Sequence, residues 1–142
     1  MIATVDISTE KSRLDNDLIH RYLSQKAYWA MGRSKELVLK SITNSLCFGV
    51  YNEDEEQIAF ARVVTDYVVF AWIMDVFVIE NYRGKGIGRQ LINHIVSIPE
   101  LSQVNGFGLR TNDAHSLYEK FGFGEIPDPK TWMFKKNKQE CE

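Results

Sequence analysis

The stretch from Asp75 to Ile98 constrains the fold of this chain more than any other. An apolar segment ends at Ile79, and glycine then occupies every second position between Arg83 and Arg89. The residues that follow have apolar side chains at helical spacing, namely Ile87, Leu91, Ile92, Ile95 and Val96. The stretch therefore predicts a strand, a glycine-rich turn and a helix in direct succession.

Such a junction can bind an anion. The first amides of a helix have no acceptor within the helix and lie at the positive end of its macrodipole. Glycines leave these amides accessible, and the flanking basic side chains add positive charge. The predicted phosphate or pyrophosphate site consists of Arg83, Gly84, Lys85, Gly86, Ile87, Gly88 and Arg89. The alternative is a turn that needs glycine only for its backbone conformation.

Two other phosphate-binding loops do not fit this stretch. The dinucleotide fingerprint requires a glycine at position 89, where Arg89 stands, and an acidic residue roughly 20 positions further on, where Gly108 stands. The phosphate loop of NTPases requires Gly-Lys followed by Ser or Thr, which the sequence lacks. What remains is the pattern R-x-x-G-x-G from Arg83 to Gly88.

Length and composition indicate one globular domain over residues 1–142, with a frayed tail at 135–142. The chain is 44% hydrophobic and 25% charged. Its formal net charge of -2 offers no broad attraction to nucleic acid or to an anionic membrane, so neither is expected as a partner.

Cysteine and histidine positions indicate neither a disulfide nor a metal site. Cys47 lies in an apolar run, Cys141 lies in the polar tail, and the histidines are scattered, so no metal is expected. Residues 1–8 lack the features of a signal peptide, and the longest apolar run, Val68 to Ile79, is too short to span a membrane. We expect a soluble, cytoplasmic protein.

Apolar periodicity and capping residues predict the remaining elements. Asp15 or Asn16 is expected to cap a first helix that runs to about Ala30, and Ser34 a second. Strands are predicted at 2–8, 46–51, 57–65, 68–79, 105–111, 123–126 and 131–134, and further helices after the glycine turn and at 113–121. This order predicts an α+β (mixed α/β) fold with a central, mostly antiparallel sheet of six to seven strands flanked by about four helices.

A second motif lies between Leu109 and Phe123. It has the form A-x-x-L-Y-x-K-x-G-F, with Ala114, Leu117, Tyr118, Lys120, Gly122 and Phe123 at the named positions. Together with the glycine turn, this motif resembles the GNAT superfamily of N-acyltransferases. The resemblance covers roughly residues 75–123 and implies the GNAT fold, whose central sheet is splayed.

The resemblance implies that the protein binds acetyl-CoA or another acyl-CoA. Phe77 and Val78 would pair with the pantetheine arm through their backbone, and the amides of residues 83–89 would hold the pyrophosphate. Tyr118 would lie near the thioester sulfur and protonate the leaving thiolate. The family often has asparagine seven residues before this tyrosine; Thr111 holds that position here, and the adjacent Asn112 is the candidate cofactor contact.

Asp75 stands out because it is a carboxylate within an apolar strand. It must have a hydrogen-bonding partner inside the protein or face a wet cleft, and both interpretations remain open. In a cleft, Asp75 is the preferred candidate for the general base, with Glu80 and His115 as the alternatives. In the family, the first two helices often form a wall of the acceptor site, which points to Tyr28, Trp29, Arg33 and, from the central strand, Trp72. Aromatic rings with Asp75 would suit an amine, whereas Arg33 would suit a carboxylate on the acceptor. Without the resemblance, core packing is the favoured role of Trp29, since large aromatic side chains usually serve burial.

Two functions are compatible with both motifs, while the glycine turn alone would also allow a phosphate-binding turn of another fold, for instance in a nucleotide-binding protein. The first is an enzyme that transfers an acetyl group to an amine of a small molecule or peptide by direct attack on the thioester. The second is a non-catalytic sensor or regulatory module that holds acyl-CoA, in which Tyr118 would not be required. Members of the family are often dimers, so a homodimer is a further expectation.

Overall fold

A sheet of five strands forms the centre of the computed structural model, which describes residues 4–137. The strands are β1 (Asp6–Ser8), β2 (Leu46–Tyr51), β3 (Gln57–Thr65), β4 (Phe70–Val78) and β5 (Gly106–Gly108). They lie in the order β1-β2-β3-β4-β5. The first four are antiparallel and β5 runs parallel to β4, which confirms the predicted α+β, mostly antiparallel layout.

Four α-helices accompany the sheet in the described part of the chain, as predicted. They are α1 (Asn16–Gln25), α2 (Lys35–Thr43), α3 (Ile87–Ser97) and α4 (His115–Glu119). Both predicted caps are confirmed, because the side chains of Asp15 and Ser34 accept hydrogen bonds from the backbone N–H groups of Leu18 and Leu37. Each cap satisfies an amide that the first helical turn leaves without a partner.

Helices cover both faces of the sheet. The side chains of α3 that face the sheet are fully buried against one face, and α1 and α2 pack on the other. The first cluster includes Leu91, Ile92 and Ile95 with Phe48, Val63 and Ile73; the second includes Ile19, Leu23 and Val38 with Phe60 and Phe77. Burial of each large side chain contributes about 1.5–3 kcal/mol, so this two-sided cover keeps β3 and β4 at the centre of the fold.

The prediction of six to seven strands is wrong for the described residues, which contain five. The segments 123–126 and 131–134 do not form strands, and a short 3-10 helix occupies Pro129–Thr131. Pro127 and Pro129 have no N–H group to donate to a sheet, and β5 spans only three residues, so its outer edge offers few partners. Residues 138–142, most of the predicted frayed tail, lie outside the described residues.

The first helix ends earlier than predicted, at Gln25 instead of Ala30. Beyond it the chain folds back, and the N–H of Gly32 donates to the carbonyl oxygen of Ser24 over 2.9 Å. Gly32 has a φ of 78°, a conformation that other residues rarely adopt. Ala30 is buried as its apolar spacing indicated, but in a turn. The fold-back directs the segment between α1 and α2 toward β4.

A β-bulge interrupts β4. The register pairs Phe60 with Phe77 but Arg62 with Met74, so two residues of β4 lie opposite one residue of β3. Asp75 is at this bulge and has a φ of 53°. Strand β4 was predicted at 68–79 with apolar side chains buried on both faces. It spans only Phe70–Val78, and its side chains alternate between buried and more exposed positions.

Candidate active site

Strands β4 and β5 separate beyond Trp72. They pair from Phe70 with Gly106 to Trp72 with Gly108, and among the residues that the structure describes the rest of β4 has a strand neighbour only on its β3 side. The separation opens a cleft of about 840 Å³. The splayed sheet that the family resemblance implied is therefore present.

Gly108 permits the close approach of the two strands before they separate. A Cβ atom at this position would lie 2.6 Å from Cζ of Phe70 and 2.8 Å from Cε3 of Trp72, because both rings lie over the glycine. The two strands therefore stay paired as far as Gly108 and diverge after it.

The cleft brings together residues from distant parts of the sequence. The predicted site residues that line it are Tyr28, Trp29, Arg33, Trp72, Asp75, Phe77, Val78, Arg83, Gly88, Asn112 and Tyr118. The other predicted site residues belong to the glycine turn and are not part of the lining, namely Gly84, Lys85, Gly86, Ile87 and Arg89. The turn adjoins the cleft through Arg83 and Gly88.

The glycine turn leaves the N-terminus of α3 open. Gly84 and Gly86 have φ values of 77° and 79°, and Gly86 makes no side-chain cap. The N–H of Gln90 donates to the carbonyl oxygen of Gly86, so the amides of residues 87–89 precede the first hydrogen bond of the helix. The side chain of Ile87 is buried in the core, and its contribution to an anion site is its backbone. This geometry suits an anionic group.

The basic residues of the turn have different roles. Arg83 donates from Nε to the carbonyl oxygen of Val78 over 3.1 Å and from Nη2 to the hydroxyl of Tyr22. It thereby holds the turn against β4 and α1. The side chains of Lys85 and Arg89 are exposed, so their charges are available to a ligand at the helix N-terminus.

At the edge of β4 that faces the cleft, the backbone N–H of Val78 has no acceptor among residues 4–137. The N–H of Ile79 donates to the carbonyl oxygen of Ile58 on β3, so by alternation the backbone of Val78 faces the other way. Its carbonyl oxygen accepts from Arg83, and its N–H remains for a ligand. By the same alternation the backbone of Phe77 faces β3, so Phe77 contributes its buried ring to the cleft.

The carboxylate of Asp75 accepts three hydrogen bonds. Trp29 Nε1 donates to Oδ1 over 2.9 Å, while Arg33 Nη1 and Arg62 Nε donate to Oδ2 over 2.8 and 2.9 Å. The side chain of Asp75 has no exposed area. Of the two interpretations of this residue, the one that required a partner inside the protein is confirmed. Its role as general base stays a prediction.

Arg62 is a partner of Asp75 that was not predicted from the sequence. This arginine is buried in β3 and also donates to the hydroxyl of Ser45 over 3.0 Å. A signal was present, because Arg62 is the single charged residue between Gln57 and Thr65, as Asp75 is in β4. Two opposite charges in adjacent apolar strands are a reason to expect an ion pair.

Replacing Asp75 by asparagine is expected to lower the free energy of unfolding by about 2 kcal/mol. The buried guanidinium of Arg62 would lose its counter-ion, and the retained amide oxygen would still accept a hydrogen bond, which moderates the cost. Chemical denaturation measures this change. The exposed pair of Asp17 with Lys35 supplies the control, since Asp17→Asn should leave the denaturation midpoint near that of the wild type. Equal effects of both substitutions would contradict a stabilising role of the buried cluster.

Tyr118 presents a protonated hydroxyl to the cleft. Its side chain is 8% exposed, and burial raises the pKa of Tyr118 to about 12, with Asp113 and Tyr28 acting in the same direction. The hydroxyl has no hydrogen-bond partner among residues 4–137. At neutral pH it is therefore a donor without a competing partner inside this part of the protein.

Aromatic residues surround the end of the cleft where the acceptor site was predicted. The rings of Tyr28 and Trp29 are perpendicular, with centroids 5.0 Å apart, and are 51% and 42% exposed. The hydroxyl of Tyr28 accepts from the backbone N–H of Asn112 over 3.3 Å. The ring centroids of Trp72 and Trp132 are 6.1 Å apart. Trp132 belongs to the predicted strand 131–134 and was not a predicted site residue. Trp29 is thus a half-exposed donor to Asp75 and not a core residue.

Three further findings concern the cysteines, metal binding and membrane spanning. Cys47 does not line the cleft, and burial raises the pKa of its thiol to about 11; Cys141 lies outside the described residues. Between residues 4 and 137, no three His, Cys, Asp or Glu side chains form a group that could hold a metal ion. Within the same range, no helix has the length and apolar character that crossing a membrane requires.

Comparisons with known proteins agree with this geometry. Residues 44–125 match the acetyltransferase (GNAT) domain family. The chain is 28% identical over 136 residues to a protein of Gibberella zeae whose name gives it as a candidate acetyltransferase, with 80% of this chain and 75% of that protein covered.

Solved structures show the same similarity. A crystal structure from Xanthomonas campestris pv. campestris, described as a candidate acetyltransferase of the GNAT family, is 40% identical and superposes with a TM-score of 0.92 over 96% of both chains. A Staphylococcus aureus structure that is 22% identical shares the fold, with a TM-score of 0.74 over 94% of this chain and 100% of that one. The match over residues 44–125 and the relation to the Xanthomonas structure show that the chain belongs to the GNAT family of acetyltransferases.

Proposed function

We propose that this protein transfers the acetyl group of acetyl-CoA to an amine nitrogen of a small molecule or peptide by direct attack. One observation carries the proposal: a single cleft joins the free edge of β4, the turn at the N-terminus of α3 and the hydroxyl of Tyr118. These three features supply what binding and cleavage of an acyl-CoA thioester require.

The donor fits this cleft from the pyrophosphate to the thioester. The N–H groups of residues 87–89 would donate hydrogen bonds to the pyrophosphate, and Lys85 and Arg89 add positive charge. The N–H of Val78 is available to an amide oxygen of the pantetheine arm. The cleft volume of about 840 Å³ lies within the range of small-molecule and cofactor pockets, roughly 300–1,000 Å³.

The reaction forms one bond and breaks another at the thioester carbon. The neutral amine attacks the carbonyl carbon, a C–N bond forms, the C–S bond breaks, and the electron pair of that bond leaves with the sulfur. A backbone amide on the cleft edge of β4 is the candidate donor to the oxyanion. Cys47 has a pKa of about 11 and does not line the cleft, so it is unsuited to accept the acetyl group.

Tyr118 is the candidate proton donor to the leaving sulfur. Its pKa of about 12 lies above that of a thiol, about 8.5, so complete transfer of its proton to the thiolate is unfavourable by itself. The amine nitrogen becomes far more acidic as it attacks and must release a proton. Tyr118 therefore donates a hydrogen bond to the sulfur and relays that released proton to it.

Asp75 is better suited to position other groups than to remove a proton. All three of its hydrogen bonds are made to N–H donors, and accepting a proton would remove the negative charge that pairs with Arg33 and Arg62. It instead holds Trp29 and Arg33 against the cleft. An amine with a pKa near 10 would then lose its first proton to solvent before it attacks.

Ligand binding tests the donor part of the proposal. At acetyl-CoA concentrations about 100 times its Kd, stability should rise by about 2.7 kcal/mol, which corresponds to roughly 5–10 °C in the thermal midpoint. CoA should behave similarly, and ATP and NAD should shift the midpoint less. Stabilisation by ATP or NAD without stabilisation by CoA compounds would contradict the proposal.

Turnover tests the transfer step. Release of free thiol from acetyl-CoA, measured across a panel of primary amines, should depend on both the amine and the protein. Tight binding of acetyl-CoA with no turnover by any amine would instead support the sensor function.

A further inference from the structure

Arg33 is placed where it can bind the acceptor. It follows the fold-back at Gly32, lines the cleft, and donates from Nη1 to Oδ2 of Asp75 over 2.8 Å. Its side chain is 22% exposed, whereas that of Asp75 is fully buried. The guanidinium thus lies between a buried carboxylate and the open cleft.

The donors of Arg33 are largely unused, unlike those of Arg62. Arg62 donates to Asp75, to the hydroxyl of Ser45 and to the sulfur of Met74, and its side chain is 9% exposed. Within residues 4–137, Arg33 makes a side-chain hydrogen bond only to Asp75. A guanidinium has five N–H donors in a planar fork, so Arg33 retains an edge that can meet another group.

The charge of this cluster also favours an anion. One carboxylate, that of Asp75, is shared by two guanidinium groups, which leaves the three side chains with a net charge of about +1. Because Asp75 and Arg62 are buried, the excess positive charge is presented to the cleft through Arg33. A purely cationic amine would be repelled here.

The position of Arg33 separates it from the proposed pyrophosphate site. Asp75 precedes Val78 by three residues in β4, and a strand rises about 3.3 Å per residue, so Arg33 meets the strand roughly 10 Å before the end that leads into the glycine turn. Its neighbours in sequence and in the cleft are Tyr28 and Trp29, whose rings are half exposed. Arg33 therefore belongs to the acceptor end.

From these contacts we propose that Arg33 binds a carboxylate on the acceptor, so that the substrates are amino acids or other amino carboxylates. The two remaining N–H groups of one guanidinium edge match the two oxygens of a carboxylate. The aromatic rings of Tyr28 and Trp29 then contact the carbon skeleton between the carboxylate and the reacting amine. This inference rests on the proposed acetyl transfer to an amine and specifies its acceptor.

Paired acceptors test the inference. β-Alanine is compared with n-propylamine, and phenylalanine with 2-phenylethylamine, with kcat/KM expressed per neutral amine so that their different pKa values do not bias the result. The carboxylate member of each pair should be at least 30-fold better in the wild type. In Arg33→Gln this advantage should fall below about threefold, mainly through KM, while the neutral members change little. Arg33→Lys should restore part of it, since one cation is retained.

Binding provides a second readout that does not depend on turnover. With the protein saturated in CoA, β-alanine and phenylalanine should raise the thermal midpoint of the wild type and not that of Arg33→Gln. The inference is overturned if wild type treats the members of each pair alike, if Arg33→Gln keeps the preference, or if 2-aminoethylphosphonate is preferred to β-alanine. A different result would show that the proposed acetyl transfer is wrong while Arg33 still binds carboxylates. In that case the amino carboxylates bind in an Arg33-dependent way, but no acceptor gives turnover.

Discussion

Replacing Tyr118 by phenylalanine is expected to lower kcat about 100-fold and to leave the affinity for acetyl-CoA within about threefold of the wild type. Phenylalanine keeps the ring, which contacts Phe123 edge to face at a centroid distance of 5.8 Å, and removes only the hydroxyl. Because that hydroxyl has no hydrogen-bond partner among the described residues, its loss leaves no group in that part of the chain without a partner. The effect should therefore fall on proton transfer to the sulfur.

Tyr82 supplies the matched control for this substitution. Its hydroxyl accepts a hydrogen bond from Asn52, it lies outside the cleft lining, and Tyr82→Phe should leave kcat near the wild-type value. Steady-state thiol release gives kcat, and calorimetry with acetyl-CoA gives the affinity. If Tyr118→Phe retained kcat within threefold of wild type, another group would have to protonate the leaving thiolate.

Gly86→Glu is expected to weaken acetyl-CoA binding by at least about 1,000-fold. Gly86 has a φ of 79° and immediately precedes α3, so the new side chain would strain the turn by about 1–2 kcal/mol. It would also place a carboxylate among the N–H groups proposed to donate to the pyrophosphate. Repulsion between the carboxylate and the pyrophosphate adds to the strain. Calorimetry measures the loss, with circular dichroism to verify that the variant is folded.

Gly122→Glu is the control for the effects of backbone strain and added charge away from the proposed site. Gly122 has a φ of 89°, a Cβ atom there would meet nothing within 4 Å, and the residue does not line the cleft. This variant carries the same new charge at a similar backbone conformation, and it should bind acetyl-CoA as the wild type does. Normal binding by Gly86→Glu would exclude the N-terminus of α3 as the pyrophosphate site.

Local patterns predicted the elements whose signals are contiguous in the chain. The cap residues Asp15 and Ser34, the hairpin of β2 and β3, and the turn from Arg83 to Gly88 were found where the sequence placed them. Each depends on backbone conformation or periodicity within about ten residues, so neighbouring side chains contain the information. The second motif also placed Tyr118 on a helix, where spacing alone could not distinguish a core residue from a site residue.

Other features depended on contacts that no local pattern specifies. The run of apolar residues at 132–134 resembled a strand. A strand forms only where a neighbouring edge can pair with it, and β5 is too short to do so. The prediction that α1 runs to Ala30 was also wrong, because apolar spacing indicates that a residue is buried but not which element buries it. The apolar spacing required burial of that residue, and a turn buries it as well as a helix does.

The sequence by itself determined the family and predicted the donor end of the proposed site, because a glycine turn and a helix start are built from consecutive residues. Tertiary structure alone decided the acceptor end, where Trp29, Arg33, Arg62 and Asp75 come from separate segments and meet at one carboxylate. The sequence showed Asp75 as an isolated charge that needed a partner. Only the packing of the α1–α2 segment against the bulge in β4 showed that Asp75 accepts from three side chains. The same packing showed that Arg33 keeps N–H donors for a ligand.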